Sequence, residues 1–403
     1  MKVGIPRRAA RSVYGRIVTQ LSCRLGIRPG EPRKVTLMMK SAVSTTFALA
    51  ASALLLFGCG KSSQQAQGNG TPAAPAASGA GISGAGATFP APIYARWAET
   101  YKAQSGLSLN YQAIGSGGGI KQIQANTVDF GASDKPMKPE DLDKAGLYQF
   151  PTVVGGVVPV VNLPGVQPGQ VKLTGALLGD IYLGVVKNWS DPKIVQANAG
   201  VKLPNLPITV VHRSDGSGTS FLYTTYLTAK SPAWAQKVGA NDAVEWPAGI
   251  GGKGNDGVAA FVKQTPGAIG YVEYAYATQN KMSYTQLQDH DGVFVTPTAQ
   301  SFAAAASGAD WAKAAGNYLL LLDQPGAGAW PITGATFILV HKQQADAAKG
   351  KAVLGFFDWA YKNGDAAASQ LDYVPLPGAV KDMVRKQWAD IKTADGKPVY
   401  AGT

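Results

Sequence analysis

The chain has 403 residues and a formal net charge of +12 at pH 7, but residues 1–40 hold ten Lys/Arg against one acid, Glu31, which leaves about +3 for the rest. The basic balance therefore belongs to the N-terminus and does not argue for a nucleic-acid partner. Cys23 and Cys59 are the only cysteines, so once an export signal ending before Cys59 is removed, an internal disulfide and a thiol metal site are both excluded.

From Met39 the chain reads as such a signal over 39–58: a basic start, the apolar run Phe47–Phe57, then Gly58 and Cys59. The run is too short and too rich in Ser and Ala for a membrane-spanning helix. Leu56-Phe57-Gly58-Cys59 resembles a bacterial lipoprotein signal, in which the Cys becomes the lipidated first residue. Phe57 is bulkier than that pattern usually carries, and ordinary secretion with Cys59 incidental is the rival reading. Residues 1–38 read as an extension upstream of the true start. Residues 59–80, rich in Gly, Ser, Gln, Ala and Pro, read as a flexible tether that cannot pack a core. The remaining chain, from residue 81 onward, is long enough for two lobes.

Gly84-Ala-Gly-Ala-Thr88-Phe89-Pro90 is a Gly-rich turn before a helix whose apolar face holds Ile93, Tyr94, Trp97 and Tyr101. Pro90 and Pro92 suit a first turn, where the missing N–H would be unpaired anyway. Leu109–Ile114 predicts a strand that ends in Gly115-Ser116-Gly117-Gly118-Gly119, with a helix after it. Val128–Ala132 predicts a short strand that delivers Ser133-Asp134-Lys135-Pro136, and Pro136 keeps Lys135 out of helical geometry.

Phe150–Asn162 reads as two β-branched strands joined by a bend at Gly155-Gly156, a crossing between lobes. Ala176–Leu183 is helical. Ile208–Val211 predicts a buried strand that runs into Arg213, Asp215 and the turn Gly216-Ser217-Gly218-Thr219, where a helix over Thr219–Lys230 begins. Gly257–Gln264 predicts a helix and Ala268–Val272 a strand. Ser301–Leu322 predicts mostly helix, Ala335–His341 a returning buried strand, and Lys351–Lys362 and Gly378–Ile391 amphipathic helices. Trp97 and Trp359 are the clearest core tryptophans. Alternating strands and helices argue an α/β fold.

Four strand–helix junctions thus offer oxyanion-binding parts: Thr88-Phe89, Ser116, Asp134, and Arg213 with Ser217-Gly218-Thr219. A helix start presents unpaired N–H groups and the positive end of the helix dipole. Arg213 adds a planar fork that matches a tetrahedral oxyanion. Each part alone has a bland reading, since Ser or Thr at a helix start is commonly a plain N-cap and Arg beside Asp a structural ion pair. Four together are harder to dismiss.

Asp134 is out of place in an anion pocket unless the ligand brings a proton to donate. Phosphate near neutral pH keeps one and sulfate has none. A buried acceptor facing sulfate would be left unsatisfied and repelled, a difference on the order of 3 kcal/mol.

Enzyme signatures are sparse. His212, His290 and His341 are scattered with no metal-ligand spacing, and no Gly-x-Ser-x-Gly elbow occurs. Gly252-Lys-Gly254-Asn-Asp-Gly257 fits a dinucleotide fingerprint formally, without a convincing strand before it, and reads better as a Gly-rich turn opening the helix at Gly257.

From about Gly84 to Tyr400 the chain closely resembles the periplasmic phosphate-binding proteins of phosphate-specific ABC transporters. The shared runs include the Thr88-Phe89 turn, Asn126–Asp134, Arg213–Ser220, Gly251–Gly257, Gly270–Tyr276 and Phe356–Tyr361. The resemblance implies a two-lobed, type II periplasmic-binding-protein fold of the α/β class with a hinge. Lobe one would comprise 81–158 and 335–403, and lobe two 159–334. It places phosphate on Thr88, Phe89, Ser116, Asp134, Arg213, Ser217, Gly218 and Thr219, with Asp215 orienting Arg213. Relatives often carry Ser where this chain has Gly117, which implies a looser loop and the same ligand.

The expected role is non-catalytic: binding of inorganic phosphate outside the cytoplasmic membrane and delivery to the permease and ATPase of an ABC transporter. No metal, cofactor or nucleic acid is called for, and nothing demands more than a monomer. Two rivals stay open, a surface-displayed adhesion or signalling protein and a phosphate-ester hydrolase.

Overall fold

The computed structural model describes residues 81–400. The extension over 1–38, the export signal over 39–58, Cys59 and the tether over 59–80 lie outside the described residues. Among the described residues, no helix is long and apolar enough to cross a membrane.

Strand β1 (Ile82–Gly86) pairs in parallel with β2 (Leu109–Ala113) on one side and β3 (Phe130–Ser133) on the other. Helix α1 (Ala91–Ser105) connects β1 to β2, and α2 (Ser116–Gln124) connects β2 to β3, the connection that parallel pairing requires. Strand β4 (Leu147–Val161) comes next in the chain and is buried at every position except Tyr148. Such a run of apolar residues without alternation fits a strand covered on both faces.

Strands β5 (Thr209–Arg213), β6 (Ile250–Gly252) and β7 (Ala268–Glu273) form a second parallel group, with helices α3 (Gly218–Lys230) and α4 (Gly254–Gln264) between them. Strand β8 (Ile332–His341) returns antiparallel between β3 and β4. The sheet order is β2-β1-β3-β8-β4-β7-β5-β6, and three two-residue strands that pair with the central strands β4 and β8 bring it to 11. Helix α5 (Ala299–Ala306) precedes β8, and α6 (Ala347–Asn363) and α7 (Gly378–Gln387) come after it.

The expected bend in Phe150–Asn162 is absent, because β4 continues through Gly155 and Gly156. Both glycines instead admit rings: a Cβ at Gly155 would stand 2.9 Å from the Phe89 ring, and one at Gly156 would stand 2.1 Å from that of Phe302. Pro151 sits where the register to β8 slips between Thr336 and Phe337, and a bulge is where a strand tolerates proline.

Three further expectations change. Helix in 301–322 is confined to α5, after which come two single 3₁₀ turns, and Gly316 and Asn317 adopt left-handed φ of 59° and 56° that end any helix. Helix α4 starts at Gly254, one turn before Gly257, and a short strand, β6, does precede it. Trp359 is half-buried, its Nε1 reaching Gln104 at 2.7 Å, whereas Trp189, Trp234, Trp330 and Trp388 are the fully buried ones.

The core is aromatic on both sides of β4. Phe357 meets Phe130 and Phe150 edge-on at centroid distances of 5.3 and 5.6 Å, and Tyr223 stacks on Tyr271 at 4.2 Å. Burying each such ring contributes roughly 1.5–3 kcal/mol. This packing holds the strand ends still, and every candidate site residue stands at a strand end or at the helix start beyond one.

Candidate oxyanion-binding site

The first turn forms because β1 ends on Gly86, whose φ is 148° and whose Cβ would stand 2.0 Å from the Ala132 carbonyl. Only glycine lets β3 pass so close. The next residues, Thr88 and Phe89, are buried, and Pro90 caps α1 with Pro92 in its first turn. The second turn pivots on Gly115 at φ 91° and starts α2 at Ser116. The third is the end of β3, where Asp134 is 1% exposed. The fourth runs from β5 through Arg213 and Asp215 to α3, with Ser217 as its N-cap, taking the Ser220 N–H at 3.0 Å.

These turns converge. Ser116 Oγ accepts the N–H of Asp134 at 3.2 Å and that of Gly218 at 3.0 Å. Residues 18 and 102 positions away in sequence are thereby joined on one atom. A hydroxyl has two lone pairs and one hydrogen, so Ser116 has only its hydrogen left to offer. A Cβ on Gly218 would stand 2.5 Å from Ser116 Oγ and 2.6 Å from Asp134 Cβ, so the cradle closes only around glycine. Gly117 N–H also crosses to the Gly216 carbonyl at 2.9 Å, and Lys135 Nζ reaches Asp242 Oδ1 at 2.5 Å and Asn241 Oδ1 at 2.8 Å.

Arg213 is held from one side. Its Nε and Nη2 donate to the two Asp215 oxygens at 2.8 and 2.5 Å, and Gly254 N–H also donates to Asp215 at 3.0 Å. Burial opposes the Asp215 charge, but these hydrogen bonds and the Arg213 charge hold its carboxyl below the ordinary value. With two nitrogens fixed, Arg213 Nη1 is left buried without a partner, as are Asp134 Oδ1 and Thr219 Oγ1. Burial pushes the Asp134 carboxyl up to about 7, against the lowering pull of the Thr336 hydroxyl, the Arg213 charge and the Ser116 and Thr219 hydroxyls. The site therefore presents one cationic donor, several hydroxyls and a single acid poised near neutrality. Among the described residues, no group of three His, Cys, Asp or Glu is arranged to hold a metal ion.

Residues 62–363 match the PBP superfamily domain. The phosphate-binding protein PstS of Xylella fastidiosa (strain Temecula1) is 53% identical over 327 residues, 81% of this chain and 90% of that relative. The chain belongs to the PstS family of phosphate-binding proteins. The PstS protein of Pasteurella multocida is likewise 53% identical over 320 residues, 79% of this chain and 93% of that one. A crystal structure of the phosphate-binding protein from Stenotrophomonas maltophilia aligns with a TM-score of 0.60 at 23% identity, covering 77% of this chain and 94% of that chain. That likeness shows the shared two-lobed binding-protein fold.

In this PstS-family chain the residue roles anticipated from sequence fall on different kinds of contact. Asp215 does grip Arg213. Ser217 Oγ serves as the N-cap acceptor of α3, and the Gly218 N–H is donated to Ser116. Phe89 contributes its carbonyl to Tyr373 OH at 2.6 Å and its ring to the core against Gly155. Sequence reasoning does not single out Asn255, Tyr276, Thr336 or Tyr373, all of which touch the site or its turns. The Gly252–Gly257 run stands out in the sequence only as a glycine pattern. Its asparagine carries the contact, and the amides of that turn go to Asp215 and Thr88.

Proposed function

We propose that this chain captures inorganic phosphate outside the cytoplasmic membrane and delivers it to the permease and ATPase of an ABC importer. The single observation that carries the reading is the buried Asp134 carboxyl beside the unpartnered Arg213 Nη1. Arg213 attracts any tetrahedral oxyanion. Asp134 accepts a proton only from one that has a proton to give.

On this reading Thr88, Phe89, Ser116 and Asp134 come from lobe one, 81–158 with 335–403. Arg213, Ser217, Gly218 and Thr219 come from lobe two, 159–334, and Asp215 orients Arg213. Phosphate enters while the lobes are apart, and closure excludes water and strengthens every polar contact inside. The closed form is what the membrane partner reads. The chain acts as a monomer, without catalysis, metal or cofactor. A lipid on Cys59 tethers it to the membrane surface. The non-catalytic reading is supported by Ser116, whose lone pairs are taken by two backbone N–H groups, the reverse of an activated nucleophile.

Calorimetric titration of the exported chain with phosphate and with sulfate tests the proposal. Phosphate should bind tightly and sulfate at least about a hundredfold more weakly. Equal affinity for the two ions would sink it.

A further inference from the structure

Thr88 Oγ1 takes two hydrogen bonds from one residue in the first turn of α4, Asn255: from its Nδ2 at 2.8 Å and from its backbone N–H at 3.2 Å. The orientation of that amide is not free. Asn255 Oδ1 accepts the backbone N–H of Glu273 at 3.1 Å, and a backbone N–H can only donate. The carboxamide oxygen must therefore face Glu273, and the NH₂ must face Thr88. Thr88 in turn has both lone pairs occupied. Its own carbonyl is taken by Tyr276 OH at 2.6 Å, so the turn cannot rotate to release them.

We infer that Asn255 is a positioning residue that fixes the polarity of the phosphate site: it makes the Thr88 hydroxyl an obligate donor. The chain of direction runs from the Glu273 N–H, through the Asn255 amide, to the Thr88 O–H. The outcome is the one Ser116 reaches by accepting the Asp134 and Gly218 N–H groups. With these two hydroxyls committed to donating, neither competes with Asp134, the charged acceptor at the site. A hydroxyl free to accept would offer a protonated oxyanion a second place for its proton and would blur the selection made by Asp134. On the proposed lobe division Thr88 and Asn255 lie on opposite lobes, so this commitment is made on closure, when the ligand is already in place.

The inference rests on the phosphate reading, and its test separates the two. Phosphate affinity is measured by calorimetry for the parent, Asn255→Ala, Thr88→Val and the double variant, with Thr88→Ser as a control that keeps the hydroxyl. Asn255→Ala should weaken phosphate binding about tenfold in the parent and in Thr88→Ser, and at most about twofold in Thr88→Val. Because Thr88→Val also removes any merely structural tie made through the Thr88 hydroxyl, sulfate is titrated beside phosphate. Asn255→Ala should narrow the preference for phosphate over sulfate by about threefold or more. A purely structural tie would weaken both ions by the same factor, and that result overturns the inference while leaving phosphate binding intact. If Asn255→Ala does not fold, Asn255→Gln displaces the amide by one methylene and the same comparison decides. A parent chain that binds no phosphate overturns the functional reading and this inference with it.

Discussion

Asp134 and Arg213 each keep one buried polar atom unpartnered, Oδ1 and Nη1, within electrostatic reach of one another. An acid and a guanidinium that close would ordinarily pair. Here Arg213 is already engaged by Asp215, and the two remaining atoms stay unmatched. Asp134→Asn should therefore lower phosphate affinity by about 10- to 100-fold and raise that for sulfate, because a charged acceptor is lost and a repulsion removed. Competition between the two ions in one titration reads both changes.

The same carboxyl sets a stability profile in the empty protein. Its value rises from 3.8 to about 7 on folding, so between those limits the folded chain holds a proton that the unfolded chain has lost. Stability then falls as pH rises through that window and is independent of this group above it. Asp134→Asn lacks the group and should gain thermal stability over the parent as pH rises from about 4 to about 7 in phosphate-free buffer, with the gap constant beyond. A constant gap across the whole range would contradict the burial argument.

Arg213→Lys tests attraction separately from selection. A lysine ammonium cannot hold both Asp215 oxygens and still present a second nitrogen to the ligand. Phosphate affinity should drop by about 1.5–3 kcal/mol, while the preference for phosphate over sulfate stays near that of the parent. A collapse of the preference would place selection on Arg213.

Much of this was legible in the sequence, for physical reasons. Gly86, Gly115 and Gly218 mark turns because each sits where a Cβ would overlap backbone or a site residue. The run Ala268–Val272 reads as a buried strand because it is short, rich in β-branched and aromatic residues and preceded by Pro266-Gly267. The run around Gly155-Gly156 misleads because glycine signals both a bend and a close approach. The Phe89 and Phe302 rings that decide between them are 66 and 146 residues away. Asn255 is hidden for a related reason: a hydrogen bond over 167 residues leaves no local trace.

Lys135 bridges to Asp242 beside the site and lies 5.5 Å over the Phe221 ring. The two charged side chains are 32% and 21% exposed, so solvent screens the pair, and about 0.5–1 kcal/mol is the expected contribution. Lys135→Met should speed phosphate release about two- to fivefold and leave capture unchanged, as stopped-flow traces would report. A changed association rate with constant release would point to steering of the anion and not to a latch.

Gly156→Ala forces a methyl group to within 2.1 Å of the Phe302 ring. The overlap should cost about 1–3 kcal/mol, read as a lower urea midpoint at unchanged slope.

Strand β4 has a consequence for how the molecule comes apart. Its residues 147–156 pair with β8 and its residues 157–161 with β7, so one unbroken strand completes the sheet of either half. If the β5–β7 side were to melt alone, Val157–Val161 would be stripped of partners while still anchored in an intact β4. If the other side melted, the 147–156 stretch of the same strand would be exposed. Neither half has a free-standing boundary at which unfolding could stop. Heating should produce a single cooperative transition, tracked equally by tryptophan fluorescence and by backbone signals, because the one strand that both halves share leaves no seam between them.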